Sequence, residues 1–173
     1  FGIEPNLQTL ISEEQANTNE ILAPINSSIC INEQLIKINR TDIVDGIVNN
    51  AGNHKHFVLH GEGGTGKTGV IKDLFAQIHP SIPLCIRKAQ SLNVNSLTEI
   101  FSFSYQYRLE QFIAAYSEHT QKFFIIDSAE KLQEIEDDGP IRSLIKMLDE
   151  NGWSIIFTVR NVFLKDLKET LLI

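Results

Sequence analysis

Hydrophobic positions in this chain follow two alternating patterns, short continuous runs and stripes with helical spacing. The continuous runs lie at residues 56–60, 82–88, 123–127 and 153–158. Such runs predict strands that are buried on both faces. The helical stripes lie at residues 43–48, 70–78, 109–116 and 141–148, with a last helix from about residue 162. From residue 41 onward, the sequence therefore predicts strands and amphipathic helices in alternation.

This alternation is typical of a parallel sheet with helices on both faces. The predicted fold class is α/β, with a mainly parallel sheet between two helical layers. Residues 1–35 are polar and weakly patterned, and we interpret them as a linker or the tail of a preceding domain. Residues 36–173 form the predicted folded domain. The chain opens on Phe1 rather than Met, so we expect a piece of a longer protein.

Composition indicates one soluble domain. The chain has 173 residues, 42% of them hydrophobic, and no apolar run approaches the roughly 18 residues of a membrane-spanning helix. Cys30 and Cys85 lie far apart and in no metal-ligand spacing, so nothing requires an oxidising compartment and we expect a cytoplasmic protein. The net charge is −7, whereas non-specific nucleic-acid binding depends on lysine and arginine. We therefore expect neither a membrane nor nucleic acid as a partner.

A glycine-rich segment between the first predicted strand and the next helix carries the strongest chemical signal. Residues 61–68 match the phosphate-binding pattern G-x4-G-K-[ST]. Glycines let main-chain N–H groups approach phosphate oxygens, and the helix N-terminus adds partial positive charge. Lys67 would reach the β- and γ-phosphates, and the Thr68 hydroxyl is a hard ligand for Mg²⁺. We therefore predict ATP and Mg²⁺ as cofactors. The predicted binding residues in this segment are Gly61, Glu62, Gly63, Gly64, Thr65, Gly66, Lys67, Thr68 and Gly69.

Charged residues after the third and fourth predicted strands complete the predicted site. Asp127 would hold Mg²⁺ together with Thr68; the alternative is an ordinary helix-capping aspartate. Glu130 is the predicted base that polarises the attacking water, and a solvated glutamate in a first helical turn is the alternative. Arg160 would touch the γ-phosphate, unless it is a surface arginine that closes a strand. The fourth strand is expected to lie between the two other functional strands.

Residues from about 38 to 167 resemble the nucleotide-binding core of the STAND NTPases, the signal-transduction ATPases of the AAA+ group that include NACHT and NB-ARC proteins. Four stretches carry the resemblance: 38–42 ahead of the P-loop, 61–68 (Walker A), 125–130 (Walker B) and 157–160 (sensor). The first implies that Arg40 lies near the adenine. Because Asn39 replaces the usual glycine there, a plain exposed arginine is the alternative. The family's lid domain is expected to be absent from this chain.

The resemblance implies a P-loop NTPase switch rather than a metabolic enzyme. It implies a Mg-ATP-binding and slowly hydrolysing module of a larger signalling or antiviral-defence protein, with bacterial defence members most similar. Nucleotide state would control self-association through this domain, and the parent chain's effector and sensor domains would be its partners. Two other functions fit the same residues, an AAA+ motor or loader acting on nucleic acid and a scaffold that binds ATP without cleaving it.

Overall fold

A computed structural model of the chain describes residues 5–31 and 34–171. In chain order the elements are α1 (Pro5–Leu22), β1 (Ser28–Ile31), β2 (Gln34–Lys37), α2 (Thr41–Asn50), β3 (His56–Gly61), α3 (Lys67–Ile78), β4 (Leu84–Lys88), α4 (Leu97–Ile100), α5 (Leu109–Ala115), β5 (Phe123–Asp127), α6 (Gly139–Glu150), β6 (Ser154–Arg160) and α7 (Leu164–Leu171). Short 3-10 helices span Ala89–Leu92, Ala129–Glu134 and Asn161–Phe163. Residues 1–4, 32 and 33 of the predicted linker, and residues 172 and 173, lie outside the described part.

Four strands form a parallel sheet in the order β3-β6-β5-β4. All four predicted apolar runs are therefore strands of one sheet, and β6 lies between β3 and β5 as expected. Because the strands are parallel, their carboxyl ends meet at one edge, where Gly61 is paired with Arg160 and Lys88 with Asp127. Strands β1 and β2 form a separate antiparallel pair.

Helices cover both faces of this sheet. One face packs against α2 and α3, through a core that includes Val44, Ile71, Leu74, Ile125 and Ile156. The opposite face packs against α5, α6 and α7, through a core that includes Phe112, Leu144, Leu167, Phe124 and Phe157. The predicted three-layer α/β architecture is confirmed. No helix in the described part of the chain has the length and apolarity needed to cross a bilayer.

Local sequence explains where α6 begins and ends. Pro140 lies in its first turn, where a missing N–H leaves no hydrogen bond unmade. The chain then reverses at Gly152, whose φ of 74° is in the left-handed region that glycine adopts without a Cβ clash. Pro140 thus marks the start of α6, and Gly152 the turn that leads from α6 into β6.

Residues 5–22 differ from the expected linker, because they form α1 and pack onto the domain core. The buried residues of α1 recur every four positions, at Leu10, Glu14, Thr18 and Leu22. Two of these four buried residues are polar, so hydrophobic spacing alone does not predict this helix. The division into a segment 1–35 and a domain 36–173 of a longer protein stays a prediction.

Helix α1 covers the open edge of β4. The Asn17 side-chain amide donates to the Ile86 carbonyl at 3.2 Å, and the Thr18 hydroxyl donates to the Leu84 carbonyl at 3.3 Å. Side chains of a helix thus satisfy main-chain groups that an edge strand otherwise leaves unpaired. This contact attaches α1 to the sheet along its length.

A buried ion pair joins the same two elements. The Glu14 carboxylate accepts two hydrogen bonds from the Arg87 guanidinium, at 2.5 and 2.9 Å, and the two side chains are 1% and 7% exposed. Burial disfavours the charged guanidinium, but the adjacent Glu14 carboxylate outweighs this and raises the pKa of Arg87. The pair is desolvated on both sides, so either partner alone would be a buried unpaired charge.

We expect Glu14→Gln to lower the free energy of unfolding by about 3 to 5 kcal/mol, because it leaves the Arg87 charge buried without a counter-ion. Glu20→Gln is the matched control, since Glu20 is an exposed residue of the same helix. Urea denaturation of both variants measures the difference. Equal and small effects of the two substitutions would show that α1 is not fixed to the sheet by this pair.

Candidate nucleotide-binding site

The predicted P-loop connects β3 to α3 and depends on its glycines. Gly64 and Gly66 have φ values of 79° and 83°, in the left-handed region that L-residues with a Cβ rarely adopt. A Cβ on Gly61 would lie 2.7 Å from the Thr65 hydroxyl oxygen. Gly66 immediately precedes α3 and offers no side chain to cap it. The first N–H groups of α3 are therefore accessible to an anion.

The Lys67 ammonium lies across the loop that it follows. Its Nζ donates to the carbonyl oxygens of Gly61 at 3.0 Å and Glu62 at 2.8 Å. The Thr65 hydroxyl also donates to the Glu62 carbonyl, at 2.9 Å. The carbonyl groups of Gly61 and Glu62 therefore point toward the Lys67 and Thr65 side chains. The positively charged Lys67 ammonium lies where the sequence predicts phosphates.

Asp127 is held between two hydroxyl groups at the end of β5. Its Oδ1 accepts hydrogen bonds from Thr158 at 2.7 Å and from Thr68 at 3.3 Å. The main-chain N–H of Ser128 donates to the same Thr158 hydroxyl, at 2.9 Å. Asp127 therefore faces the start of α3 and is not a helix-capping residue. Thr158, in the adjacent strand β6, fixes its orientation and was not among the predicted site residues.

A turn after Asp127 brings Glu130 back toward the cleft. Ser128 adopts a left-handed conformation, with φ of 58°, before the 3-10 helix that contains Glu130. The Glu130 side chain is only 10% exposed, so it is not the solvated glutamate of the alternative interpretation. Its Oε2 atom is buried and has no hydrogen-bond partner in residues 5–31 and 34–171. A buried unpartnered oxygen of this kind is a feature that calls for a ligand or a water.

Arg160 ends β6 and pairs with Glu130. Its Nε lies 3.3 Å from Glu130 Oε1, while the arginine side chain is 61% exposed. The next residue, Asn161, donates to the Glu62 carboxylate at 3.1 Å and contacts His60 Nδ1 at 2.9 Å. Side chains at the end of β6 thus bond to both the Glu130 turn and the P-loop.

Arg40 is buried, so the alternative of a plain exposed arginine is wrong. Its guanidinium donates to Asp73 of α3 at 3.0 Å and to the Ser27 carbonyl at 3.3 Å. A Cβ on Gly69 would lie 2.9 Å from Arg40 Nη2, which places the guanidinium directly against the start of α3. Arg40 does not line the phosphate cleft. It lines a separate groove of about 470 Å³, together with Ile38 before α2 and with residues of α2 and α3.

Most of the predicted residues line a single cleft of about 280 Å³. Those that line it are Gly63, Gly64, Gly66, Lys67, Thr68, Gly69, Asp127, Glu130 and Arg160. Gly61, Glu62 and Thr65 shape the loop without lining the cleft. Ile25 and Asn26 also line the cleft, although they belong to the segment interpreted as a linker. No sequence motif marks these two residues.

The oxygen atoms beside the P-loop fit a magnesium ion. Among the described residues no group of three or more His, Cys, Asp or Glu side chains could hold a metal ion. Mg²⁺ does not require such a cluster, because it typically takes one or two protein oxygens and completes its shell with substrate phosphates and water. Thr68 and Asp127, whose oxygens lie 3.3 Å apart, are a donor set of this kind.

Solved structures share this architecture, and 47 chains match. One is Hsp104, an AAA+ P-loop ATPase, in a closed-state cryo-EM reconstruction with ATPγS and FITC casein. The TM-score is 0.57 over 88% of this chain and 26% of the Hsp104 chain, about a quarter of its length. The chain therefore has the same fold as the matched part of Hsp104. At 17% sequence identity the likeness concerns the fold alone. No protein-family model matches the sequence, and no curated protein matches it.

The position of Arg40 predicts opposite effects for two glycine substitutions. Gly69→Ala should lower the free energy of unfolding by about 1 to 3 kcal/mol, because the new Cβ displaces a guanidinium held by Asp73 and Ser27. Gly46→Ala in α2 is the control. Its Cβ would meet nothing within 4 Å, so it should raise stability by about 0.5 to 1 kcal/mol. Stabilisation by both substitutions in chemical denaturation would contradict the placement of Arg40.

Proposed function

We propose that this chain binds Mg-ATP and hydrolyses it slowly. One observation carries the proposal: Lys67, Asp127 and Glu130 line the same cleft at the end of a glycine-rich loop. A phosphate-binding loop, an acid beside the metal-binding hydroxyl and a second acid for the water are the parts that phosphoryl transfer to water requires. The AAA+ fold supports the proposal, since it is the fold of an ATPase solved with ATPγS.

In this proposal the triphosphate lies on the start of α3. Main-chain N–H groups from the loop and the first helical turn donate to the phosphate oxygens. Lys67 exchanges its bonds to the loop carbonyls for the β- and γ-phosphates. We assign the groove beside Arg40 to the nucleoside, because the Arg40 guanidinium lies against Gly69 of the cleft and the exposed side chain of Ile38 is apolar. Arg40 then lies near the adenine, as the family resemblance implies.

Thr68 and Asp127 would hold the magnesium ion. When bound, Mg²⁺ neutralises charge on the β- and γ-phosphate oxygens. Thr158 keeps the Asp127 carboxylate turned toward α3 by donating to its Oδ1. Because Asp127 accepts from two hydroxyl groups and is largely buried, its orientation is fixed before nucleotide arrives. We therefore assign Thr158 a positioning role.

Glu130 is the proposed base. As the water oxygen bonds to the γ-phosphorus and the bond from phosphorus to the bridging oxygen of ADP breaks, the proton of the water passes to Glu130. Glu130 lines the phosphate cleft and its side chain is only 10% exposed, which supports its carboxylate as the acceptor of that proton. Arg160 stabilises negative charge on the γ-phosphate, and must leave its ion pair with Glu130 to do so.

The STAND resemblance supports a role as a switch in a larger protein. In that role ATP binding favours self-association through this domain, and an attached effector responds to a trigger sensed elsewhere in the parent chain. A place in antiviral defence rests on the same resemblance. The acidic net charge of −7 speaks against the alternative of a motor acting on nucleic acid.

Lys67→Ala should abolish Mg-ATP binding, because it removes the one ammonium placed against the loop carbonyls. Isothermal titration calorimetry measures binding, and circular dichroism verifies that the fold is kept. Lys146→Ala is the control, since Lys146 is exposed on α6 and only 3.9 Å from its helical partner Glu150. Undiminished affinity of the Lys67 variant would refute the proposed site.

Glu130→Gln should keep Mg-ATP binding and slow hydrolysis by about 100-fold or more, because the amide cannot accept the proton. Single-turnover release of phosphate measures the rate. Glu134→Gln is the control, in the same 3-10 helix but paired with Lys131 on the surface. A wild-type chain that binds ATP without cleaving it would instead be a nucleotide-gated scaffold, and equal rates in both variants would exclude Glu130 as the base.

A further inference from the structure

We propose that residues 23–27, which we call the strap, form a wall of the nucleotide site that closes on the terminal phosphate. The strap joins α1 to β1 and lies in the segment that its composition marks as a linker. This inference rests on the proposed function and adds a regulatory element to the same site. Three observations carry it.

The first observation is how the strap is attached. Lys72 of α3 donates to the Ile25 carbonyl at 2.5 Å and to the Ala23 carbonyl at 3.5 Å. Arg40 donates to the Ser27 carbonyl at 3.3 Å, while its other bond goes to Asp73 of α3. Two cationic side chains therefore link the strap backbone to the helix that begins at the P-loop.

The second observation is where the strap lies. Ile25 lines the phosphate cleft and also a second cleft of about 400 Å³, which extends toward Lys88 and Lys131. The two clefts share Asp127, Glu130 and Arg160. An attacking water must approach the γ-phosphate from the side opposite to ADP, and we assign that approach to the second cleft because Glu130, the proposed base, lines it. The strap lies where the two clefts meet, since Ile25 lines both.

The third observation concerns the hydrogen-bond donors of the strap. Within the described residues the main-chain N–H groups of Asn26 and Ser27 donate to no main-chain carbonyl, and Asn26 is exposed. The Asn26 side chain also lines the phosphate cleft, and its amide can donate as well as accept. The donors of Asn26 suit a triphosphate oxygen, because this residue lines the phosphate cleft. When bound to it, the strap would exclude bulk water from the side of Glu130.

Hydrogen exchange of the wild-type chain tests the inference. We expect the amides of residues 25–28 to exchange about tenfold more slowly with Mg-ATPγS than with Mg-ADP, because ADP lacks the phosphate that the strap contacts. Calorimetry on the same samples confirms that both nucleotides are bound. Equal exchange with bound ADP and bound ATPγS would overturn the strap and leave the proposed function standing. An absence of calorimetric binding would overturn both.

Two variants address the attachment and the contact separately. Lys72→Met should speed exchange in the nucleotide-free strap, while Asn26→Ala should weaken ATPγS binding by about 3- to 10-fold and leave ADP binding unchanged. Lys146→Met, on the exposed face of α6, is the control for the first. The inference is wrong if Lys72→Met exchanges like the control, or if Asn26→Ala weakens both nucleotides equally.

Discussion

The parallel alignment of β3, β5 and β6 is the constraint on which the candidate site depends. Parallel strands end at the same edge, so residues distant in sequence are delivered to one place by the hydrogen bonds of the sheet alone. The P-loop follows β3, Asp127 ends β5, and Thr158 with Arg160 ends β6. The Thr158 bond to Asp127 then crosses between two neighbouring strands and sets the carboxylate beside Thr68. The register of these strands therefore determines which side chains meet at the candidate site.

A second consequence concerns the edge of that sheet. Helix α1 closes the β4 edge with polar side chains and a buried ion pair instead of another strand. Removal of one partner of a buried pair is costly, because it leaves a buried charge without a counter-ion. Because α1 leads directly into residues 23–27, its placement also determines what borders the phosphate cleft. The helix that covers the β4 edge is therefore continuous in sequence with a segment that borders the phosphate cleft.

The strands of the sheet could be predicted because burial on both faces produces continuous apolar runs. The P-loop could be predicted because its left-handed backbone conformations require glycine at fixed positions. Helix α1 was not predicted, since Glu14 and Thr18 make a buried face look polar until their partners Arg87 and Leu84 are known. The burial of Arg40 was equally hidden, because its partner Asp73 lies 33 residues away. The spacing of apolar residues predicts which apolar side chains are buried. It cannot predict buried polar pairs, because these depend on tertiary contacts between residues distant in sequence.

We propose that main-chain N–H groups of residues 63–68, assisted by Lys67, bind a chain of phosphates. An amide NMR titration of the wild-type chain tests this most directly, with Mg-ATPγS compared against adenosine. We expect ATPγS to shift the amide resonances of residues 63–68 most strongly and adenosine to leave them unchanged. Equal shifts with adenosine, or shifts confined to other parts of the chain, would contradict it.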